Sequence, residues 1–322
     1  MIEVKMFAEG VANEILDYLP EKYGSMECQV VEMKKNNGVC LSGIAFGMPG
    51  KEIAPTIYME PYYERIRRGA DKDEVMRSIA GMVLDSMETQ IYKEGIKFKE
   101  YDSVKDRLSA ALVNTKANWK MLEGMPHIEM EDLSVIFRVE VPMADESKIG
   151  SLKVTNSLMR QWGVGKEELL NRALANMQEI NPPVLVGVEA ALSEAVFGWA
   201  PENLLEQPED CVGEHPDRMY VLSNKSKSYG ASALICPGVL EKLSAIFPEG
   251  FYILPSSVHE TLIVSRNEDK TPRDFGQIVR QVNQAEVPRE EILSDRVYEY
   301  NREKRRLRQI AESVERGREM ER

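Results

Sequence analysis

The stretch CQVVEMKKNNGVCLSGIAF, residues 28–46, decides the fold of the first part of the chain. Two runs rich in β-forming residues, 28–33 and 39–46, flank the turn sequence Lys35-Asn36-Asn37-Gly38. Asn37 and Gly38 both tolerate a positive φ, which the two central residues of a type I′ turn must adopt. The stretch therefore predicts an antiparallel hairpin, and residues 53–59 extend it as a third strand.

Helical patterns surround this small meander. Residues 7–19 repeat apolar side chains at helical spacing and stop at Pro20. Pro61 opens a second helix that ends at Gly69, and Asp71 or Asp73 caps a third. The apolar pattern of residues 103–122 predicts a fourth helix.

The second part of the chain mixes strands and helices without a regular βαβ rhythm. The apolar positions predict strands at residues 133–141, 152–154, 219–222, 231–235, 251–254 and 261–264. They predict helices at residues 158–162, 166–177, 188–197, 238–247 and 272–283. This irregular order favours an α+β fold: an N-terminal helix with a small antiparallel meander and helices, then a second mixed α+β lobe.

Changes of pattern suggest the domain organisation. The sequence Gly124-Met125-Pro126 separates an N-terminal lobe, residues 1–125, from a C-terminal lobe, residues 126–300. Residues 301–322 form a charged tail, in which residues 302–322 hold eight basic and five acidic side chains. Leu307, Ile310 and Val314 give this tail a thin apolar stripe, which predicts a charged C-terminal helix.

Composition limits the classes of function. Hydrophobic residues make up 43% of the 322 residues, enough for a buried core, and no apolar run approaches the roughly 20 residues of a membrane span. The net charge of −12 argues against direct nucleic-acid binding, which requires neutralised phosphates. The first residues lack the basic and apolar regions of an export signal, and the four cysteines form no close pair, so we expect a cytoplasmic protein.

The densest polar cluster is Pro255-Ser256-Ser257-Val258-His259-Glu260, between two predicted strands. A serine, a histidine and a carboxylate are the parts of acyl-transfer chemistry, so Ser256, Ser257, His259 and Glu260 are the candidate catalytic residues. Catalytic triads draw their members from separate segments, however, and Glu260 would face away from His259 along a strand. The alternative interpretation is a strand connection whose hydroxyls cap backbone groups.

Other motifs give no strong signal. The sequence lacks GxxxxGK[ST], HExxH and GxSxG, and Gly163-Val164-Gly165-Lys166 only separates two predicted helices. Cys211 and His215 lie four residues apart in an acidic loop, and His259 with Glu260 would complete a mixed metal site. The chain has three histidines in all, so we interpret residues 200–216 as an acidic loop and predict neither a metal nor a cofactor.

Several segments, taken in chain order, resemble those of a clostridial family known as domain of unknown function 5688. They include Lys35-Asn36-Asn37-Gly38, Pro55-Thr56-Ile57-Tyr58-Met59-Glu60, Asp132-Leu133-Ser134-Val135, Met219-Tyr220-Val221-Leu222-Ser223-Asn224 and Ile292-Leu293-Ser294-Asp295. The resemblance covers about residues 1–300 and implies no activity, cofactor or catalytic residue.

These observations favour a binding or regulatory protein that acts through protein–protein contacts. The acidic balance favours a partner that is another protein, a basic one in particular, over a membrane or a nucleic acid. The rival interpretation is a hydrolase or transferase centred on Ser257 and His259.

Overall fold

The computed structural model describes residues 2–51, 54–89, 96–142, 149–198, 201–207, 219–266 and 270–310. The described α-helices are α1 (Ile2–Glu14), α2 (Glu60–Arg67), α3 (Lys72–Met87), α4 (Tyr101–Val104), α5 (Trp119–Leu122), α6 (Asn156–Trp162), α7 (Lys166–Ile180), α8 (Val188–Phe197), α9 (Val239–Ile246) and α10 (Pro272–Ala285). The described strands are β1 (Glu27–Lys34), β2 (Cys40–Gly47), β3 (Thr56–Tyr58), β4 (Leu108–Asn114), β5 (His127–Met130), β6 (Leu133–Pro142), β7 (Ile149–Lys153), β8 (Pro183–Gly187), β9 (Met219–Asn224), β10 (Phe251–Leu254), β11 (Thr261–Ser265), β12 (Tyr298–Asn301) and β13 (Arg306–Gln309). Among the described residues, helices occur together with antiparallel strands and no βαβ unit is present, so the predicted α+β class is confirmed.

The chain forms two compact units. The first comprises residues 1–108 and 138–165, and the second comprises residues 109–137 and 166–322. The chain therefore passes between the units three times, and one passage lies inside β6, between Phe137 and Arg138. The sequence interpretation used a single boundary at residue 125, and its lobes, residues 1–125 and 126–300, stay a prediction.

The hairpin predicted from the opening stretch is confirmed. β1 pairs with β2 in an antiparallel register that runs from Glu27 opposite Gly47 to Lys34 opposite Cys40. Asn37 and Gly38 both have positive φ, 58° and 70°, as a type I′ turn requires. β3 then pairs with β2, which completes the three-stranded sheet.

The core of the first unit lies between this sheet and the helices α1 and α3. Its fully buried members include Ala8, Val11, Ile15, Ile44, Phe46, Met59, Ile79 and Val83. The Asp71 side chain caps α3 by accepting a hydrogen bond from the Glu74 N–H, as its sequence position predicts.

The second unit contains a six-stranded sheet in the order β13-β12-β10-β11-β9-β8. The β8 edge is closed by one side chain, because the Asn203 amide accepts from the Leu185 N–H at 2.9 Å and donates to the Pro183 carbonyl at 3.0 Å. A side chain thus replaces a neighbouring strand and blocks edge-to-edge pairing. On one face of the sheet, Leu254, Val264, Phe275, Val279 and Val297 form a buried cluster.

Two predicted elements were wrong. Residues 103–122 do not form one helix: Leu108–Asn114 is a strand whose first six residues are all buried. A strand buried on both faces carries a continuous apolar run, which periodicity cannot distinguish from a helix. The predicted strand 231–235 is a 3-10 turn, Gly230–Ile235.

The predicted helix of the charged tail was also wrong where the structure describes it. Arg306–Gln309 is a strand paired antiparallel with β12, and Leu307 is buried between the exposed Arg306 and Arg308. Alternation of apolar and polar residues is typical of a strand, and here it prevailed over the helical spacing of Leu307 and Ile310. Residues 311–322 lie outside the described residues.

Candidate functional site

The segment Pro255-Ser256-Ser257-Val258-His259-Glu260 connects β10 to its antiparallel neighbour β11 in the second unit. It runs beside residues 291–294, with which it exchanges backbone hydrogen bonds. The Val258 N–H donates to the Glu291 carbonyl at 2.8 Å, and the Leu293 N–H donates to the Ser256 carbonyl at 2.9 Å. The connection is therefore held in an extended conformation like a short additional strand.

The His259 ring is fixed on both of its nitrogens. Nδ1 accepts a hydrogen bond from the Tyr229 N–H at 3.2 Å, and Nε2 lies 3.6 Å from Glu291 Oε1. Because a backbone N–H occupies Nδ1, the proton of the neutral ring is on Nε2. Neither nitrogen of the neutral ring is thus available to take a proton from a serine.

The candidate serines do not reach this ring. Ser257 Oγ accepts from the backbone N–H of His259 at 3.1 Å, which is the capping role that the alternative interpretation expects of a strand connection. Among the hydrogen bonds of the described residues, none joins the hydroxyl of Ser256 or Ser257 to the His259 ring. Glu260 is exposed, and the carboxylate beside the ring is that of Glu291.

A polar loop, residues 223–230, holds His259 from the other side. Ser223 Oγ donates to the His259 carbonyl at 2.8 Å, and Tyr229 adopts a left-handed φ of 52° that presents its N–H to the ring. A Cβ atom at Gly230 would lie 2.1 Å from Ser223 Oγ and 2.4 Å from the His259 carbonyl oxygen. Glycine is therefore required where the polar loop crosses the connection.

Amide side chains stabilise the polar loop. Asn181 donates to Ser226 Oγ and accepts from the Ser226 N–H, both at 2.8 Å. Asn224 donates to the Ser228 carbonyl at 2.9 Å. Sequence reasoning missed this loop because its residues are ordinary turn formers whose long-range partners have no local pattern.

A buried polar anchor lies next to the connection. Asp132 accepts from Ser294 Oγ at 2.9 Å and from the Tyr298 hydroxyl, while the Ser294 N–H donates to the Pro255 carbonyl at 2.9 Å. Burial raises the pKa of the Asp132 carboxyl, and the Ser294 hydrogen bond opposes that rise. The anchor brings together residues 132 and 298, which are far apart in sequence, so it fixes the β10–β11 connection to the body of the second unit.

A second candidate site is the exposed face of α8. Leu192, Val196 and Phe197 are 62%, 73% and 71% exposed. Leu192 and Val196 lie one turn apart on one face of the helix, and Phe197 is its last residue. We call these three residues the α8 apolar face.

Metal ligands do not cluster in the described part of the chain: no group of three or more His, Cys, Asp or Glu side chains there could hold an ion. Cys211 and His215, the core of the predicted mixed site, lie outside the described residues. His127 is on β5, where its Nδ1 lies 3.0 Å from the Met125 carbonyl. Cys28, Cys40 and Cys236 are free thiols, and burial raises the pKa of Cys236 to about 12, which suppresses its reactivity.

Within the described ranges, no helix has both the length and the apolar run needed to span a bilayer.

The fold and these sites define an α+β protein with a hydrogen-bonded polar connection in its second unit and exposed apolar side chains on one helix. The chain belongs to Family of unknown function (DUF5688), which matches residues 4–302, as the segments quoted above indicate. No curated protein and no solved structure matches the chain significantly.

Proposed function

We propose that the chain is a cytoplasmic binding protein that acts through protein–protein contacts and that the α8 apolar face is its contact surface. The observation that carries this proposal is the exposure of three large apolar side chains, Leu192, Val196 and Phe197, in the last two turns of one helix. A concentration of exposed apolar side chains on a protein surface is typical of an interaction site. Phe197 provides the aromatic anchor around which binding energy concentrates.

The helix is held in place before any partner binds. Glu194, on the same helix, lies 2.8 Å from Lys227 in the polar loop. That loop is fixed in turn by its bonds to Asn181 and His259. A preformed surface loses little conformational entropy on binding, so the rigid connection around His259 supports the contact rather than a reaction.

The partner we propose is a basic protein with an apolar groove. Glu189 is exposed in the first turn of α8, and the whole chain carries a net charge of −12. Opposite charge on the rim of the partner would accelerate association, and this electrostatic attraction would weaken as the salt concentration rises.

The test is affinity capture from extracts of the source cells with the immobilised full chain, at low and moderate salt. Leu192→Ser/Phe197→Ser is compared with wild type, and Ile180→Ser, which removes a 58%-exposed apolar side chain from α7, is the matched control. We expect a stoichiometric partner that the double variant loses and the control retains. Capture that is equal for all three proteins, or absent for wild type, would contradict the proposal.

The second candidate is a hydrolase or transferase that uses the Ser257/His259 segment. The observation in its favour is Glu291, because a carboxylate from another segment is what His259 needs once Glu260 faces away. Ser257 or Ser256 would then have to replace the Tyr229 N–H at Nδ1. A serine-directed fluorophosphonate that labels wild type but not Ser257→Ala or Ser256→Ala would support this function, and labelling that is equal or absent would reject it.

A further inference from the structure

The outer edge of β1 has no strand partner among the described residues. β1 is the end strand of the three-stranded sheet and pairs with β2 alone. The Lys35 N–H donates to the Val39 carbonyl at 2.8 Å, in the register of the β1–β2 ladder. Hydrogen bonds between antiparallel strands recur at every second residue, so the odd-numbered residues bond to β2. The backbone N–H and carbonyl groups of the even-numbered residues 28–34 therefore point away from the sheet.

The exposed part of this edge lies near the hairpin turn. Glu32, Met33 and Lys34 are all exposed, and Met33 retains 38% of its accessible surface. Cys28 and Val30, at the other end of the strand, pack against the core of the first unit. A strand from another molecule can therefore approach β1 most readily at the end that carries Glu32 and Lys34.

The charges at this end of β1 are self-complementary. Two identical antiparallel strands related by a two-fold axis bring a central residue opposite itself. With Met33 at the centre, Glu32 of each copy lies opposite Lys34 of the other. Opposed residues of opposite charge stabilise a strand pair, whereas opposed like charges destabilise it.

Both charges of this pair are available for such a contact. Among the ion pairs of the described residues, none involves Glu32 or Lys34. The Cys40 thiol lies beside both side chains. Partial burial, and then a hydrogen bond to Glu32, raise the pKa of that thiol, so it carries no compensating charge at neutral pH.

The neighbouring registers are less favourable. A pair centred on Glu32 brings two carboxylates together. A pair centred on Val31 places Glu32 opposite the apolar side chain of Val30. That register also brings Glu27 opposite Lys35, but the Lys35 ammonium already lies over an aromatic ring, 3.8 Å from its centroid.

We propose that two copies of the chain pair antiparallel along β1, centred on Met33, so that their three-stranded sheets join into one continuous sheet. Each pairing of Glu32 with Lys34 then exchanges two backbone hydrogen bonds as well as opposite charges. Addition of a strand to an exposed edge is a common mode of recognition, in which backbone bonds supply affinity and side chains select the register. The edge belongs to the first unit and the α8 apolar face to the second, so either proposal can fail without the other.

The first experiment measures self-association of the full chain by sedimentation equilibrium over a concentration series. We expect a dimer that Glu32→Lys weakens at least tenfold, because it places like charges opposite each other twice. Glu32→Lys/Lys34→Glu should restore the dimer, since the exchange recreates both opposite-charge pairs. The matched control is Glu27→Lys, the same change at an exposed residue of β1 outside the paired segment.

Three results of this experiment would overturn the proposal. They are a wild type that stays monomeric at every concentration, equal weakening by Glu27→Lys and Glu32→Lys, and a double variant that associates no better than Glu32→Lys. The comparison among exposed positions does not depend on disruption of the fold.

The second experiment tests the register by disulfide trapping. In the proposed pair, Met33 faces its own copy at a position without backbone hydrogen bonds, where the Cα atoms are about 4.5 Å apart and within reach of a disulfide. Met33→Cys should therefore form a covalent dimer on mild oxidation. Gln29→Cys is the control on the same face of the strand, because its two copies would lie about 27 Å apart. Equal trapping of the two variants, or no trapping of Met33→Cys, overturns the pairing.

Discussion

The β10–β11 connection around His259 and the α8 apolar face both belong to the second unit, but they are built on opposite principles. In the connection, donors and acceptors from several segments pair with one another, so that His259, Ser223 and Ser257 are held by backbone partners. On the α8 apolar face, Leu192, Val196 and Phe197 are exposed to water instead of packing on the fold. Paired polar groups stabilise a fold, whereas exposed apolar side chains become favourable only when another surface covers them.

This comparison makes a general prediction about substitutions. Removal of a member of the connection should destabilise the protein, because a buried partner loses its hydrogen bond. Replacement of an apolar side chain of the α8 apolar face by serine should change stability by less than about 0.5 kcal/mol, because that side chain is already exposed.

The largest effect is expected for Gly230→Ala in the polar loop. The new Cβ would lie 2.1 Å from Ser223 Oγ and 2.8 Å from the Asn224 nitrogen, so the loop and the connection must separate. Overpacking of this kind costs about 3 kcal/mol in the free energy of unfolding, measured by urea denaturation. The control is Gly81→Ala in α3, where nothing lies within 4 Å of the new Cβ and helix propensity predicts a gain of about 0.5 kcal/mol. Equal stability of the two variants would contradict the close packing of the loop.

The next largest effect is expected for Tyr298→Phe in the buried polar anchor. The Tyr298 hydroxyl donates to the Asp132 carboxylate, and its loss leaves a buried carboxyl group with one donor fewer. Hydrogen bonds to charged groups contribute about 2 kcal/mol, which we expect as the loss of stability in urea. Tyr300→Phe, on the same strand, removes a hydroxyl that bonds to Glu241 at the surface and should change stability by less than about 0.5 kcal/mol. A similar loss in both variants would show that the hydrogen bond from Tyr298 to Asp132 contributes no more to stability than the surface hydrogen bond of Tyr300.

The sequence predicted the elements with local signals and missed those that depend on distant partners. The Asn37-Gly38 turn and the Asp71 cap were correct because each is determined by its own neighbours. The strand β4 was missed because burial on both faces removes the alternation that identifies a strand. The strand β13 was missed because its partner, β12, decides its conformation.

The same distinction applies to the candidate sites. Sequence reasoning selected His259 and Ser257 because a histidine and a serine occur close together there. In the structure, Ser257 Oγ accepts a hydrogen bond from the backbone N–H of His259 and not from its ring. The sequence offered no signal for Glu291, Tyr229 or Gly230, because these residues come from other segments and meet His259 only in the fold.

A smaller effect is expected for His259→Ala. The substitution leaves the Tyr229 N–H without its acceptor and should cost about 1 kcal/mol in urea denaturation. His259→Asn is the matched variant, because its side-chain oxygen can take the position of Nδ1 and should restore most of the loss. If His259→Asn is as unstable as His259→Ala, the ring stabilises the connection by packing and not by accepting this hydrogen bond.

The smallest effect is expected for Lys153→Met, and it is an effect on the pH dependence of stability. The pKa of Lys153 is lowered to about 8 in the folded protein, while an unfolded lysine has a pKa of about 10.4. Between these two values the unfolded chain binds more protons than the folded protein, so the stability of wild type should rise as the pH increases from about 8 to 10.4. Below pH 8 both states are protonated, and the cost of the buried charge is present in full. Lys153→Met removes this titrating group, so we expect a flatter stability profile than that of wild type above pH 8. Urea denaturation of both proteins from pH 7 to 10 measures this, with Lys34→Met as the control that should follow wild type. An unchanged rise above pH 8 in Lys153→Met would show that a group other than Lys153 causes the pH dependence.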